Sequence, residues 1–230
     1  MKKIVIGLML IVTCFLISGC GKKETVVEER NLVGGWDIDV PIKQLALPDK
    51  AQEVFDSATS NYTKMKLTPI SLLGTQVVSG TNYMYLCKGE KDSSTKWVIV
   101  TIYIDTSNNT EITNVKYFNL NDYVNINSEL KTTQTLGGWS VYKNTEAKLD
   151  EEVQDIFTKA VKDNEKISYK PIALLGEQIG AGVNYAILAL GENKEEEKIY
   201  SINLLTINNK LDGTATLISS AYIPLAKYSK

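Results

Sequence analysis

Histidine is absent from all 230 residues of the sequence. Without an imidazole the chain cannot build a Ser–His or Cys–His catalytic pair. It also has no histidine to bind a metal ion or to change charge near neutral pH. The scattered aspartates and glutamates lack the spacing of a calcium-binding loop. These absences argue against an enzyme, and we expect no catalytic residue, no metal and no cofactor.

Cysteine is scarce as well, and Cys87 is the only one after residue 20. No intrachain disulfide can therefore form in that part of the chain, and each folded unit must rely on its apolar core. Cys87 alternates with Tyr83 and Tyr85 in an apolar run. With no histidine to activate it, we interpret Cys87 as a packed small side chain rather than a nucleophile.

The sequence has no excess of charge of either sign, because 25 Lys and Arg face 27 Asp and Glu. The two signs are interspersed and form no basic stripe, so we expect no nucleic-acid partner. The charged run from residue 192 to 198 is interpreted as a solvated hairpin. Nothing in the sequence indicates a small-molecule substrate.

The chain begins with two lysines, continues with an apolar stretch of 14 residues, and then reaches Ser18, Gly19 and Cys20. About 20 apolar residues are needed to cross a bilayer, so this pattern predicts a secretory signal rather than a spanning helix. Residues 17–20 also resemble the lipobox of bacterial lipoproteins. That resemblance implies lipidation of Cys20 and a protein anchored on the outer face of the bacterial cell membrane. The alternative is an ordinary signal peptide with a chance cysteine.

After a charged tether the sequence repeats itself at an offset of about 102 residues. Residues 32–36 return as residues 135–139, and residues 69–76 return as residues 171–178. The predicted organisation is a signal peptide (1–19), a lipidated cysteine with its tether (20–31), a first domain (32–124), a linker (125–134) and a second domain (135–230).

Each repeat combines one helical pattern with several alternating patterns. Ala51, Val54, Phe55, Ala58, Tyr62 and Met65 have helical spacing, and the helix is expected to begin near Asp49. In the strands, one set of side chains is predicted to face the helix: Val98, Val100, Ile102 and Ile104, with Tyr200, Ile202, Leu204 and Thr206 as their counterparts. Trp97, Thr101 and Tyr103 are predicted to face outward. The predicted unit is an α+β roll with the helix on one sheet face.

Two motifs carry a resemblance to the cystatin family. Gln76-Val77-Val78-Ser79-Gly80 resembles the Gln-x-Val-x-Gly hairpin of cystatins, and Leu32-Val33-Gly34-Gly35-Trp36 resembles their N-terminal trunk. The resemblance implies two tandem cystatin-like rolls, each an antiparallel sheet of about five strands wrapped around one helix. It also implies a surface-anchored, reversible inhibitor of papain-like cysteine proteases, which occludes the active-site cleft with the trunk and the hairpin.

The resemblance assigns protease-binding residues in both repeats. In the first repeat these are Leu32, Val33, Gly34, Gly35, Gln76, Val77, Val78, Ser79 and Gly80. In the second repeat they are Leu136, Gly137, Gly138, Gln178, Ile179, Gly180, Ala181 and Gly182. Gly180 stands where the motif has valine, so the second domain is expected to bind more weakly.

Other features favour simpler interpretations. Gly34 and Gly35 also suit a hinge between tether and domain, and the Gln76 motif also suits an ordinary glycine-containing hairpin. The second cystatin hairpin often carries a Pro-Trp pair, whereas this sequence offers only the polar residues 107–109 there, with Leu211 as a modest apolar contact in the second repeat. The alternative function is therefore a non-inhibitory binding or structural lipoprotein.

Overall fold

The computed structural model describes residues 35–38, 47–124, 138–141, 147–196 and 199–229. The predicted signal peptide, Cys20 with its whole tether and the predicted linker (125–134) lie outside these residues, as do five predicted site residues: Leu32, Val33, Gly34, Leu136 and Gly137. Within Asn31–Lys230 the chain forms one compact unit. Neither α-helix in the described part of the chain has the length and apolar character needed to span a bilayer.

The first repeat contains one helix and one antiparallel sheet. Helix α1 (Asp49–Thr59) precedes four strands in sequence order: β1 (Lys66–Val77), β2 (Thr81–Lys91), β3 (Ser94–Ile104) and β4 (Thr110–Tyr117). A short 3-10 helix (Leu120–Asp122) follows the sheet. Two residues with positive φ, Asp92 and Ser93, join β2 to β3, as expected for a tight hairpin turn.

The second repeat has the same order with an added edge strand. Strand β5 (Ser140–Val141) and helix α2 (Glu151–Val161) precede β6 (Ile167–Gly180), β7 (Gly182–Asn193), β8 (Tyr200–Asn209) and β9 (Ala215–Tyr222). These five strands form one antiparallel sheet in sequence order, and a 3-10 helix (Leu225–Tyr228) ends the repeat.

An amphipathic helix is present in each repeat as predicted, but α1 ends at Thr59, so the prediction that Tyr62 and Met65 lie on it is wrong. Helix α1 begins at Asp49 and buries Ala51, Val54 and Phe55. At the start of α2, the Asp150 carboxylate accepts a hydrogen bond of 2.9 Å from the Val153 N–H. This capping bond satisfies one of the free N–H groups at a helix start and places negative charge at the positive end of the helix dipole.

The predicted fold class, two cystatin-like α+β rolls, is wrong. The described residues form a β-rich fold, with antiparallel sheets of four and five strands and only two α-helices. In the first repeat, Asp37 contributes an isolated bridge to Thr75 rather than a fifth strand. The prediction assigned one apolar face to each sheet, whereas both sheets are apolar on both faces, and their second faces cover each other.

The core between the two sheets draws on both repeats. From the first sheet it includes Ile70, Leu73, Met84, Leu86, Trp97 and Ile99, and from the second Ile172, Leu175, Ala186, Leu188, Ile202 and Leu204. Two smaller cores lie between each helix and its own sheet, around Phe55 and Phe157. A strand buried on both faces has an almost continuous apolar sequence, which explains residues 97–102 of β3.

Polar groups on the inner face of β3 bond to the second repeat. Trp97 and Thr101, predicted to face outward, are both buried. The Trp97 Nε1–H donates to the Leu175 carbonyl at 2.5 Å, and the Thr101 hydroxyl donates to the Tyr228 carbonyl at 3.0 Å. On folding, the polar atoms of both side chains therefore replace hydrogen bonds to water with hydrogen bonds to backbone carbonyls of the other repeat.

The predicted faces of β8 are also wrong. Ile202 and Leu204 lie in the core between the sheets, whereas Leu205 and Ile207 pack against α2. Between β7 and β8, a bond from the Asn193 N–H to the Ile199 carbonyl extends the strand pairing by one residue and leaves residues 194–198 as the connecting segment. This segment is three residues longer than the turn between β2 and β3. An odd insertion moves every later side chain of a strand to the opposite face.

Candidate functional site

The turn between β1 and β2 presents an apolar tip. Val77 pairs with Thr81, and the Val78 N–H donates to the Gly80 carbonyl at 2.9 Å. Val77 is 55% exposed and Val78 is 41% exposed. Since large aliphatic side chains gain by leaving water, this tip is a candidate contact surface.

Gly80 allows the tip to lie close against β3. A Cβ atom at this position would come within 2.2 Å of the Ile104 carbonyl oxygen and 2.8 Å of the Tyr103 ring. Any other residue would have to push the hairpin away from β3. The Ser79 hydroxyl also lies 3.4 Å from the Tyr103 hydroxyl, so Tyr103 supports the tip.

Gln76, at the base of the tip, is held by its cross-strand neighbour. The Asn82 amide donates to the Gln76 side-chain oxygen at 2.8 Å. The second repeat repeats this pair, with the Asn184 amide 3.2 Å from the Gln178 side-chain oxygen. In both repeats the glutamine of the motif therefore helps to hold the two strands in register.

Residues 35–38 lie beside β1, near the end of the strand that carries the same tip. Asp37 and Thr75 exchange two backbone hydrogen bonds, of 2.7 and 2.9 Å, in an antiparallel bridge. Because the bridge is antiparallel, Gly35 and Trp36 lie on the Val77 side of it. In the second repeat, Ser140 pairs with Glu177, which places Gly138 on the Ile179 side of that pairing.

The turn between β3 and β4 lies at this end of the sheet too, since Thr81 pairs with Ile104 and Ile104 pairs with Thr110. The Asp105 carboxylate accepts bonds from the Asn109 side chain and from the Ser107 and Asn109 backbone N–H groups. These bonds, above all the one from the Asn109 side chain, lower the pKa of Asp105. Gly35, residues 77–80 and residues 105–109 are together called the first edge.

The second repeat has a corresponding second edge, formed by Gly138, residues 179–182 and residues 210–214. Ile179 is 71% exposed and Leu211 is 94% exposed. Gly182 has a φ of +99°, and a Cβ there would lie 2.2 Å from the Asn209 carbonyl oxygen. A Cβ on Gly180 would meet nothing within 4 Å. With Ile179 and Leu211 in place of Val77 and Val78, the second edge exposes larger apolar side chains than the first.

Neither edge contains a reactive thiol, because Cys87 is buried inside β2. Burial raises the pKa of the Cys87 thiol well above its usual range, and a protonated thiol is a poor nucleophile. In the described part of the chain, no group of three or more Asp, Glu or Cys side chains could hold a metal ion. What the edges offer chemically is shape, apolar contact and backbone hydrogen bonding.

No protein-family model matches the sequence, and no curated protein matches it either. The two edges must therefore be interpreted from their own geometry.

The structure brings together the described part of each predicted site. Gly35, Gln76, Val77, Val78, Ser79 and Gly80 share one end of the first sheet, and Gly138, Gln178, Ile179, Gly180, Ala181 and Gly182 share one end of the second. Sequence reasoning missed Tyr103 as a support of the hairpin. Alternation within β3 predicts which way Tyr103 points, but only the pairing of β2 with β3 places it beneath Ser79.

Proposed function

We propose that the protein is a non-enzymatic binding protein, held on the outer face of the bacterial membrane through Cys20, that reversibly inhibits papain-like cysteine proteases. In this proposal the first edge enters the active-site cleft of the protease. The supporting observation is that the exposed Val77 and Val78 share one end of the first sheet with Gly35.

Physical properties of the first edge favour such a role. The tip is narrow because Gly80 lies close to the Ile104 carbonyl, so it suits a deep cleft. Val77 and Val78 bring no charge that would have to be buried unpaired. The tip is also preformed by strand pairing, which keeps the entropy cost of binding low. These properties together favour tight binding of the edge in an apolar cleft.

The test is inhibition of papain by the chain from residue 21 onward, which leaves out the signal and the anchor. We expect inhibition at micromolar protein or below, and Val78→Asp should weaken it by about tenfold or more because a carboxylate would be buried at the tip. Ile199→Asp is the matched control, since Ile199 is half exposed but lies away from the first edge. No inhibition at micromolar protein would exclude the proposal.

A second candidate is a non-inhibitory binding lipoprotein that uses the second edge. The observation favouring it is that Ile179 and Leu211 are more exposed than any apolar side chain of the first edge. In addition, the turn at residues 105–109 is polar, and the Asn109 side chain is bonded to Asp105. For this candidate, Ile179→Asp with Leu211→Asp abolishes capture of a cell-envelope protein, while Val78→Asp has no effect.

A further inference from the structure

The first repeat contains a cleft of about 580 Å³ that belongs to neither edge. It lies between the segment that follows α1 and the edge strand β4, and its lining includes Tyr62, Met65 and residues 112–115. The spacing of Tyr62 and Met65 predicted that both lie on the helix. Because α1 ends at Thr59, both side chains are free to line the cleft instead.

The floor of this cleft is apolar. Met65, Ile112 and Val115 all pack against the core around α1. Met65 sits directly over β2, since a Cβ atom at Gly89 would lie 2.7 Å from the Met65 sulfur. Glycine at position 89 therefore lets the Met65 side chain lie directly against the sheet.

The rim of the cleft is basic and aromatic. Lys64 and Lys91 line it with exposed side chains, and none of the described lining residues carries a carboxylate. Tyr62 and Tyr117 add two phenol groups. Burial, with a smaller contribution from Tyr117, raises the pKa of Tyr62. Like any protonated phenol, the Tyr62 hydroxyl can donate a hydrogen bond at neutral pH.

The same region of the second repeat is bridged by side chains. There the Tyr169 hydroxyl donates to the Ser220 hydroxyl at 2.9 Å, and the Lys194 ammonium donates to the Asn164 carbonyl at 2.6 Å. Leu67 and Val115 stand at the positions of Tyr169 and Ser220 in the first repeat and cannot form that bond. The cleft of the first repeat is therefore not bridged by a bond of this kind.

We propose that this cleft binds a small organic anion with an apolar or aromatic body. The ammonium groups of Lys64 and Lys91 attract the anionic head, to which the tyrosine hydroxyls can donate hydrogen bonds. The apolar body lies on Met65, Ile112 and Val115. Ion pairing and apolar burial then act on opposite ends of one ligand, which selects for amphipathic anions. This site is independent of protease inhibition.

The direct test is an NMR titration of the chain from residue 21 onward, which includes the whole compact unit, with phenylacetate, phenyl phosphate and benzylamine. We expect both anions to cause saturable shifts at Lys64, Met65 and residues 112–115, and benzylamine to cause none. The anion that binds with the higher affinity shows whether the cleft prefers a carboxylate or a phosphate head group. No saturable shift with either anion, or equal binding of benzylamine, overturns the proposal.

Two sets of variants separate the cleft from non-specific binding. Lys64→Gln with Lys91→Gln should weaken anion binding by about tenfold, whereas Lys166→Gln, at the position of Lys64 in the second repeat, should not change it. Leu67→Tyr with Val115→Ser should close the cleft as in the second repeat and abolish binding. If that closing variant does not fold, the lysine variants decide alone, and unchanged binding in them overturns the proposal.

Discussion

Leu225, which follows the last strand of the second repeat, packs against Gly74 in the middle of β1 in the first repeat. A Cβ atom at Gly74 would come within 3.1 Å of the Leu225 Cδ1 atom. The relationship is reciprocal, because a Cβ at Gly176 would lie 2.9 Å from the Leu120 Cδ1 atom. Each repeat thus places a leucine over a glycine of the other repeat, so each sheet is packed in part by a side chain from the other repeat.

Leu225→Ala should destabilise the whole unit. Removing a buried leucine side chain leaves a cavity, which costs about 2–5 kcal/mol of unfolding free energy. Leu211→Ala is the matched control, because Leu211 is 94% exposed and should change stability by less than about 0.5 kcal/mol. Urea denaturation followed by circular dichroism measures both. Equal, small effects in the two variants would show that the contact with Gly74 contributes little.

Gly80→Ala and Gly180→Ala should have opposite outcomes, although both lie on hairpin tips. The added methyl group at position 80 meets the Ile104 carbonyl oxygen at 2.2 Å, whereas at position 180 it meets nothing within 4 Å. We expect Gly80→Ala to cost about 1–3 kcal/mol through steric strain and Gly180→Ala to be nearly neutral. Thermal unfolding of the two variants provides the comparison. A similar melting temperature for both would argue against close packing of the first tip.

Ionisation of the Cys87 thiol should lower the free energy of unfolding at alkaline pH. Burial raises the pKa of its thiol well above the ordinary value of 9.0, so the unfolded chain loses this proton at a lower pH than the folded chain. The stabilisation is complete below the ordinary pKa and decreases as pH rises above it, because there the unfolded state binds fewer protons.

Urea unfolding of the protein and of Cys87→Ala, measured from pH 7 to pH 10, tests this expectation. The difference in unfolding free energy between the two should shift in favour of the alanine variant above about pH 9. As an independent check, a thiol reagent should modify Cys87 slowly in the native protein and rapidly in urea. Equal rates would mean that the thiol is not buried.

Lipidation at Cys20 is a separate prediction that follows from residues 17–20. Metabolic labelling of a bacterial host with a radioactive fatty acid should label the protein, and the protein should fractionate with the membrane. Cys20→Ser should abolish both, because no other residue of the motif can carry the acyl chains. Labelling of Cys20→Ser to the same extent would contradict the anchor.

Local pattern was sufficient for several features of this protein. The three- and four-residue spacing around Val54 and Phe55 predicted α1, and the motif ending at Gly80 predicted the hairpin where β1 meets β2. The repeat itself is visible in residues 69–76 and 171–178. The helix and the hairpin depend on residues close in sequence, so the local sequence pattern is enough to predict them.

Only the tertiary structure decided which faces meet. The alternation of Trp97 and Val98 separates two faces of β3, but both faces are buried, so the pattern cannot say which one covers a helix and which one covers another sheet. In β8 the longer connection exchanged the roles of Leu204 and Leu205. The cleft beside Tyr62 likewise depends on where α1 ends and on the packing of the following segment near β4. Such outcomes come from contacts between residues a hundred positions apart, and they carry no local periodicity.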